Sequence, residues 1–174
     1  DAIMLSGESA MGKYPLEALQ MMVKIAKETE IHLDHALYRG RKVNKMDKKN
    51  ISNQVGYAAV YTADQLDAKA IIAPSITGFT TRMLSKWRSS IPVYGMSPSI
   101  TTVRQMQLFY GVVPVWAKRA DTTDELISSS VETLKAEEYL KSNDLVVITA
   151  GIIPKKDERG PAKYTNTMQV EIVK

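Results

Sequence analysis

Between residues 68 and 151 the chain alternates short apolar runs with stretches of helical period, and few architectures accept that order. AKAIIAP (Ala68 to Pro74), IPVYGMS (Ile91 to Ser97), GVVPVW (Gly111 to Trp116) and DLVVITAG (Asp144 to Gly151) read as strands. Thr77 to Arg88, Ser99 to Tyr110 and Thr122 to Leu140, between them, read as helices. Parallel strands require crossovers, and right-handed crossovers place their helices outside the sheet. TNTMQVEIV (Thr165 to Val173) follows the preceding strand without a helix, so it is expected at an edge and antiparallel. The fold class is therefore α/β: a three-layer α/β/α sandwich around a mostly parallel five-stranded sheet with an antiparallel edge strand. Ligands of such sheets bind in the crevice at the carboxyl ends of the strands, so the chemistry is to be sought just after each strand.

The residues before this block have their own pattern. DAIMLS is apolar and short, as a buried parallel strand would be, and GESAMGKYP after it is turn material. From Leu16 to Leu37, Leu19, Met22, Val23, Ala26, Leu33 and Leu37 fit one helical period, with Pro15 acceptable in the first turn. RGRKVNKMDKK (Arg39 to Lys49) reads as a solvated linker. Asn50 or Ser52 can cap a helix reaching Leu66, with Val55, Ala58, Ala59 and Ala63 on a face small enough for close packing.

At 174 residues and 44% hydrophobic, the chain can bury one domain plus an appendage but not a second full domain. It has no cysteine, which excludes disulfides and cysteine-ligated metals and suits a reducing compartment such as the cytosol. His32 and His35, three residues apart, are read as a solvated helix surface rather than a metal site. The apolar runs are too short to span a bilayer and the first residues carry no basic-then-apolar signal, so no membrane role is expected. The net charge of +4 comes from the 39–49 run and from PKKDERGPAK (Pro154 to Lys163). Neither interleaves exposed aromatics with its basic residues or sits on a recognition helix, so no nucleic-acid partner is expected, whereas a small anion is compatible with both.

The first candidate site follows the strand ending at Pro74. Ser75, Thr77, Gly78, Thr80 and Thr81 combine hydroxyl donors with a glycine that lets the backbone approach a ligand, and a phosphate matches that set, with Arg82 as charged support. The alternative is that Thr77 merely caps a helix and its neighbours are surface polar residues. A second hydroxyl cluster, MSPSITT (Met96 to Thr102), follows the next strand and is open to the same two readings. The loop after Gly151, with Lys155, Lys156, Arg159, Lys163 and Tyr164, approaches the same crevice and would suit the other end of a two-ended phosphorylated ligand, or be only a charged surface loop.

MLSGESAMGKYPLEAL (Met4 to Leu19) closely resembles the pyruvate kinase signature MLSGETAxGxYPxEA, and LFYGVVPV (Leu108 to Val115), DLVVITAG and TNTM (Thr165 to Met168) follow in that family's order. The resemblance covers essentially the whole chain. It implies the carboxy-terminal part of an enzyme that transfers phosphate from phosphoenolpyruvate to ADP with Mg²⁺ and K⁺, in the cytoplasm and as a homotetramer. Residues 1–38 would then be the last strand and helix of a catalytic barrel with a linker helix, 39–49 a basic linker, and 50–174 the effector-binding and oligomerisation domain. The metal ligands and catalytic residues of the family lie on the rest of the barrel, so the chain alone is expected to be inactive, with Ser6, Gly7 and Glu8 at the barrel's active face and Ser6 near nucleotide. Its first dozen residues are expected to be disordered or to pair with another copy.

The resemblance also implies an effector phosphate on Ser75, Ile76, Thr77, Gly78, Phe79 and Thr80. The chain departs from the family in having no basic residue among these, a longer and charged loop before the TN pair, and no match to the tryptophan that lines the sugar in some members. Fructose 1,6-bisphosphate, glucose 6-phosphate, ribose 5-phosphate and AMP are therefore all candidates. The other function class that the sequence allows is a purely structural, oligomerising domain using Ile51 to Leu66 and Thr165 to Val173.

Overall fold

Ile71 and Ala73 of the strand β1 (Ala70–Pro74) belong to one apolar cluster and Ala70 and Ile72 to another, because successive side chains leave a strand on opposite faces. Both faces of the central strand are thus covered. The computed structural model describes residues 2–44, 46–151 and 165–174. In it β1 lies between β2 (Val93–Ser97) and β4 (Leu145–Ala150), with β3 (Val112–Trp116) and β5 (Thr167–Ile172) at the edges, in the order β3-β2-β1-β4-β5. The pairs β1 with β2, β2 with β3 and β1 with β4 are parallel, and β4 with β5 is antiparallel. The sheet is the one the sequence leads one to expect.

The placing of the helices follows from crossover handedness. The chain steps from β1 to β2 to β3 through α5 (Phe79–Ser85) and α6 (Ile100–Met106), then returns to β4 through α7 (Thr123–Ala136). The two directions of travel put α5 and α6 on one face and α7 on the other. Ala59, Val60 and Ala63 of α4 (Ile51–Gln65) join Ile71, Leu84, Trp87 and Val147 in the first core, while Val131 and Leu134 of α7 join Ile72, Tyr94, Met96 and Ile148 in the second. The reversal of direction falls between β1 and β4. In sheets of this kind ligands bind at the carboxyl ends of the strands that flank such a reversal.

Local chemistry fixes the helix starts. The Asn50 side chain accepts from Asn53 N–H at 3.0 Å at the start of α4. Thr122 accepts from Glu125 N–H at 3.2 Å while the Glu125 carboxylate accepts from Asp121 N–H at 2.9 Å, so α7 starts with reciprocal side-chain capping. The ends come earlier than periodicity predicts. After Ser85, Trp87 N–H and Arg88 N–H turn to the carbonyls three residues back, and Arg88 takes φ 50°, so α5 stops short of Arg88. Glu138 at φ 60° ends α7 before Leu140 in the same way.

The N-terminal part differs more from expectation. Residues 2–6 pair with no strand among the described residues, and Met4 is 84% exposed. GESA, expected as turn, forms the short helix α1 (Gly7–Ala10). The helix expected over Leu16 to Leu37 is two, α2 (Pro15–Ile31) and α3 (His35–Val43), because Asp34 accepts from Leu37 N–H at 2.8 Å and starts a new helix. The basic run continues α3 rather than leaving the fold: Arg39 is only 8% exposed and pairs with Asp64 of α4. A guanidinium is taken out of water there because a carboxylate 25 positions away meets it.

Candidate functional site

The segment from Ser75 to Gly78 crosses the crevice between the end of β1 and the start of α5. Ser75 N–H donates to the Met96 carbonyl at 2.8 Å, which extends the ladder between β1 and β2 by one rung. Ile76 and Thr77 are exposed, Ser75 and Phe79 half-buried, and Gly78 buried. Gly78 takes φ 75°, a conformation that L side chains rarely adopt, and a Cβ there would stand 3.3 Å from Met106 Cγ and 3.4 Å from Thr102 Cγ2. Gly78 is the N-cap of α5, and Thr77, the cap under the alternative reading, is exposed and makes no side-chain cap bond. The backbone N–H groups of Thr77, Gly78, Phe79 and Thr80 meet no backbone acceptor among the described residues.

Two side chains from the second hydroxyl cluster fix this loop from below. Ser97 and Thr102 hydroxyls both donate to the Ile76 carbonyl, at 3.2 and 3.0 Å, so that oxygen is already occupied. Ser99 accepts from Thr102 N–H at 3.3 Å and caps α6. The MSPSITT stretch is thus a support and a cap. Close approach completes the packing, since a Cβ on Gly95 of β2 would fall 2.7 Å from Thr81 Cγ2.

Thr80 differs from Ser75 and Thr77. It is buried, and its hydroxyl accepts from the Thr165 hydroxyl at 2.8 Å, while Thr165 N–H donates to the Ser52 hydroxyl at 3.1 Å. Thr81 donates to the Ala73 carbonyl at 3.4 Å. On the same face Thr149 is fully buried with no partner for its hydroxyl among the described residues. Sequence reasoning missed Thr165 and Ser52 as members of this cluster. Hydroxyls are common at strand starts and helix caps, and nothing local marks these two.

The other sequence-predicted residues are elsewhere. Lys155, Lys156, Arg159, Lys163 and Tyr164 lie outside the described residues. Arg82 is exposed and stands over the Phe79 ring at 6.0 Å. Ser6 precedes α1, where its N–H donates to the Glu8 carboxylate at 3.1 Å; bonds from the backbone N–H groups of Glu8 and Ser6 hold that carboxyl below its usual range. His32 sits beside Glu28 at 3.4 Å, and His35 Nδ1 meets the Arg88 carbonyl at 2.6 Å. Among the described residues no three His, Asp or Glu are grouped so as to hold a metal ion.

Charge collects where α3 meets the end of α5. Lys42 Nζ donates to the Lys86 carbonyl at 2.9 Å, and Lys86 Nζ donates to Asn53 Oδ1. The hydrogen bond with Lys42 pulls the Tyr38 phenol below its ordinary pKa, assisted by Arg88. Burial, with the nearby Lys42 charge, lowers Lys86. A separate cleft of about 210 Å³ opens on the opposite side of the sheet between the start of α7 and β5, lined by Thr123, Asp124, Ile127, Thr167 and Gln169 among others.

The sequence pattern of a family described as "Pyruvate kinase, alpha/beta domain" matches residues 53–171. A pyruvate kinase of Sporosarcina psychrophila is 38% identical over 175 residues, covering 99% of this chain and 28% of the relative. One of Clostridium acetobutylicum is 38% identical over 173 residues, covering 99% of this chain and 35% of the relative. One of Geobacillus stearothermophilus is 35% identical over 173 residues, again 99% of this chain and 28% of the relative. The chain therefore spans about a third or less of the length of these relatives.

Proposed function

The chain belongs to the pyruvate kinase family, and from that premise we propose that residues 50–174 are the domain through which such an enzyme binds a phosphorylated sugar or nucleotide and is regulated by it. The parent activity is phosphate transfer from phosphoenolpyruvate to ADP in glycolysis, in a cytoplasmic homotetramer. We assign residues 1–38 to the side of the catalytic barrel and 39–49, which continue α3 and pack on the domain through Arg39, to the connection between the two. The observation that carries the effector reading is the loop at the reversal point of the sheet. There, in the run Ser75, Ile76, Thr77, Gly78, Phe79 and Thr80, the hydroxyls of Ser75, Thr77 and Thr80 accompany backbone N–H groups of Thr77 to Thr80 that meet no backbone acceptor among the described residues, while the Ile76 carbonyl is already engaged by Ser97 and Thr102. Uncharged donors suit a phosphate whose remaining charge is met by basic residues, and Lys155, Lys156, Arg159, Lys163 and Tyr164 are our candidates for that part.

The test is thermal unfolding of the chain with fructose 1,6-bisphosphate, glucose 6-phosphate, ribose 5-phosphate and AMP. A compound at a hundred times its dissociation constant should add about 2.7 kcal/mol and raise the melting temperature. Ser75→Ala with Thr77→Ala should abolish that shift and leave the unliganded melting temperature nearly unchanged, because both side chains reach solvent.

Among the described residues no three His, Asp or Glu are grouped to hold a metal ion, and we assign the parent's Mg²⁺ and K⁺ to the barrel. Phosphoryl transfer depends on metal-held charge and geometry. We infer that the 174-residue chain with Mg²⁺, K⁺ and ADP gives no turnover of phosphoenolpyruvate; a rate above the blank would overturn this.

A second reading, an oligomerising domain without an effector, is favoured by β5. Val147 faces Val170 and Leu145 faces Ile172 across the ladder, so Met168, Val170 and Ile172 share the α4 side of an edge strand, and Ile172 is 59% exposed. Ile51 of α4 and Leu66 at its C-cap are exposed as well. Under this reading none of the four compounds shifts the melting temperature, and Ile172→Lys lowers the association state.

A further inference from the structure

Building on the effector reading, we propose that Thr165 is a positioning residue that holds the Thr80 hydroxyl, and with it the loop from Ser75 to Thr80, in the geometry that receives phosphate. Thr165 is 1% exposed and lies 85 positions from Thr80. It is fixed before it acts. Its N–H donates to the Ser52 hydroxyl at 3.1 Å, the next residue's N–H donates to the Ala150 carbonyl at 3.1 Å, and the Thr167 hydroxyl donates to that same carbonyl at 2.8 Å.

From this fixed point the Thr165 hydroxyl donates to Thr80 Oγ1 at 2.8 Å. A hydroxyl that accepts one hydrogen bond keeps its own proton to give, and acceptance polarises that proton and strengthens it as a donor. With the Thr165 hydroxyl at this distance, Thr80 can accept from it while giving its own proton to an anion. The same bond joins the first turn of α5 to α4 and to the start of β5.

Thr165→Val preserves shape and the N–H bond to Ser52 but removes the donor. Thr165→Ser keeps the donor and removes a methyl. In titrations with the four compounds named above, the valine variant should weaken binding of the active compound fivefold to tenfold, and the serine variant should stay within twofold of the parent chain. On a Thr80→Ala background, Thr165→Val should weaken it no further. Amide hydrogen exchange of Phe79 to Arg82, measured without ligand, should speed up in the valine variant only. Equal effects of valine and serine, or unchanged exchange in the valine variant, would overturn the positioning role. A parent chain that binds none of the four compounds yet shows the exchange response would overturn the effector reading and leave Thr165 as a holder of the loop alone.

Discussion

Truncating Trp87 to alanine should destabilise the chain by about 3–5 kcal/mol, read as a lowered urea midpoint at unchanged slope. The residue lies just beyond α5, is 1% exposed, and is packed by Ala59, Val60 and Ala63 of α4 and by Leu84 and Val93. Tyr57 meets its ring edge-on at 5.2 Å. Its neighbours on α4 are mostly small, so they cannot move in to fill the space, and most of the lost volume would persist as a cavity. The indole N–H decides a second, smaller comparison. Trp87 Nε1 is buried with no acceptor among the described residues, and an unmet donor costs about 1–3 kcal/mol. Trp87→Phe removes that penalty while giving up part of the contact area, so the two changes nearly cancel and this variant should stay within about 1.5 kcal/mol of the parent. An alanine variant costing less than that would mean the indole is not the keystone of the α4 side. A phenylalanine variant as damaging as alanine would mean the N–H has a partner.

The legible part of the fold is the part in which each residue's environment is set by near neighbours in sequence. AIIAP and LVVITA are buried on both faces in the structure, and an uninterrupted apolar run is what two covered faces require. Likewise, the sequence between DLVVITAG and TNTMQVEIV has no helical period, which points to an antiparallel last strand, and β5 pairs antiparallel with β4. Asp34 was readable too: a short polar acceptor followed three residues later by an N–H that needs it is a helix start, although the continuing apolar period masked it. Elements at a distance were not readable. Arg39 looks like one more charge in a basic run until Asp64 is brought to it, and Thr80 looks like an exposed ligand until Thr165 arrives. The hydroxyl loop lies between these cases. Its composition and its glycine were visible, but not that Met106 and Thr102 of α6 leave little room for a Cβ at the Gly78 cap.

Asp64→Ala should cost about 3–5 kcal/mol, because it strands a buried guanidinium. The Arg39 and Asp64 side chains are each 10% exposed, Ser90 Oγ donates to Asp64 Oδ1 at 2.7 Å, and Arg39 Nη1 has no hydrogen-bond partner among the described residues even with Asp64 present. The chain has one way to reduce the loss. If α3 lifts off, Arg39 regains water, at the expense of the contacts of His35 with the Arg88 carbonyl and of Lys42 with the Lys86 carbonyl. Each of these is worth about 1–3 kcal/mol at most, since one partner is charged or chargeable and the other is a carbonyl. Lifting α3 is therefore comparable to leaving the charge buried. Part of the loss should accordingly appear as faster amide exchange over Tyr38 to Val43 before the sheet unfolds. Salt separates this pair from a surface bridge: raising NaCl to about 0.5 M should change the penalty little, because a pair shielded from solvent is only weakly screened. Replacing both partners, Arg39→Met with Asp64→Leu, should recover most of the lost stability, since an apolar pair avoids desolvating two charges. A double variant no better than Asp64→Ala alone would mean that shape at this seam, rather than a stranded charge, sets the cost.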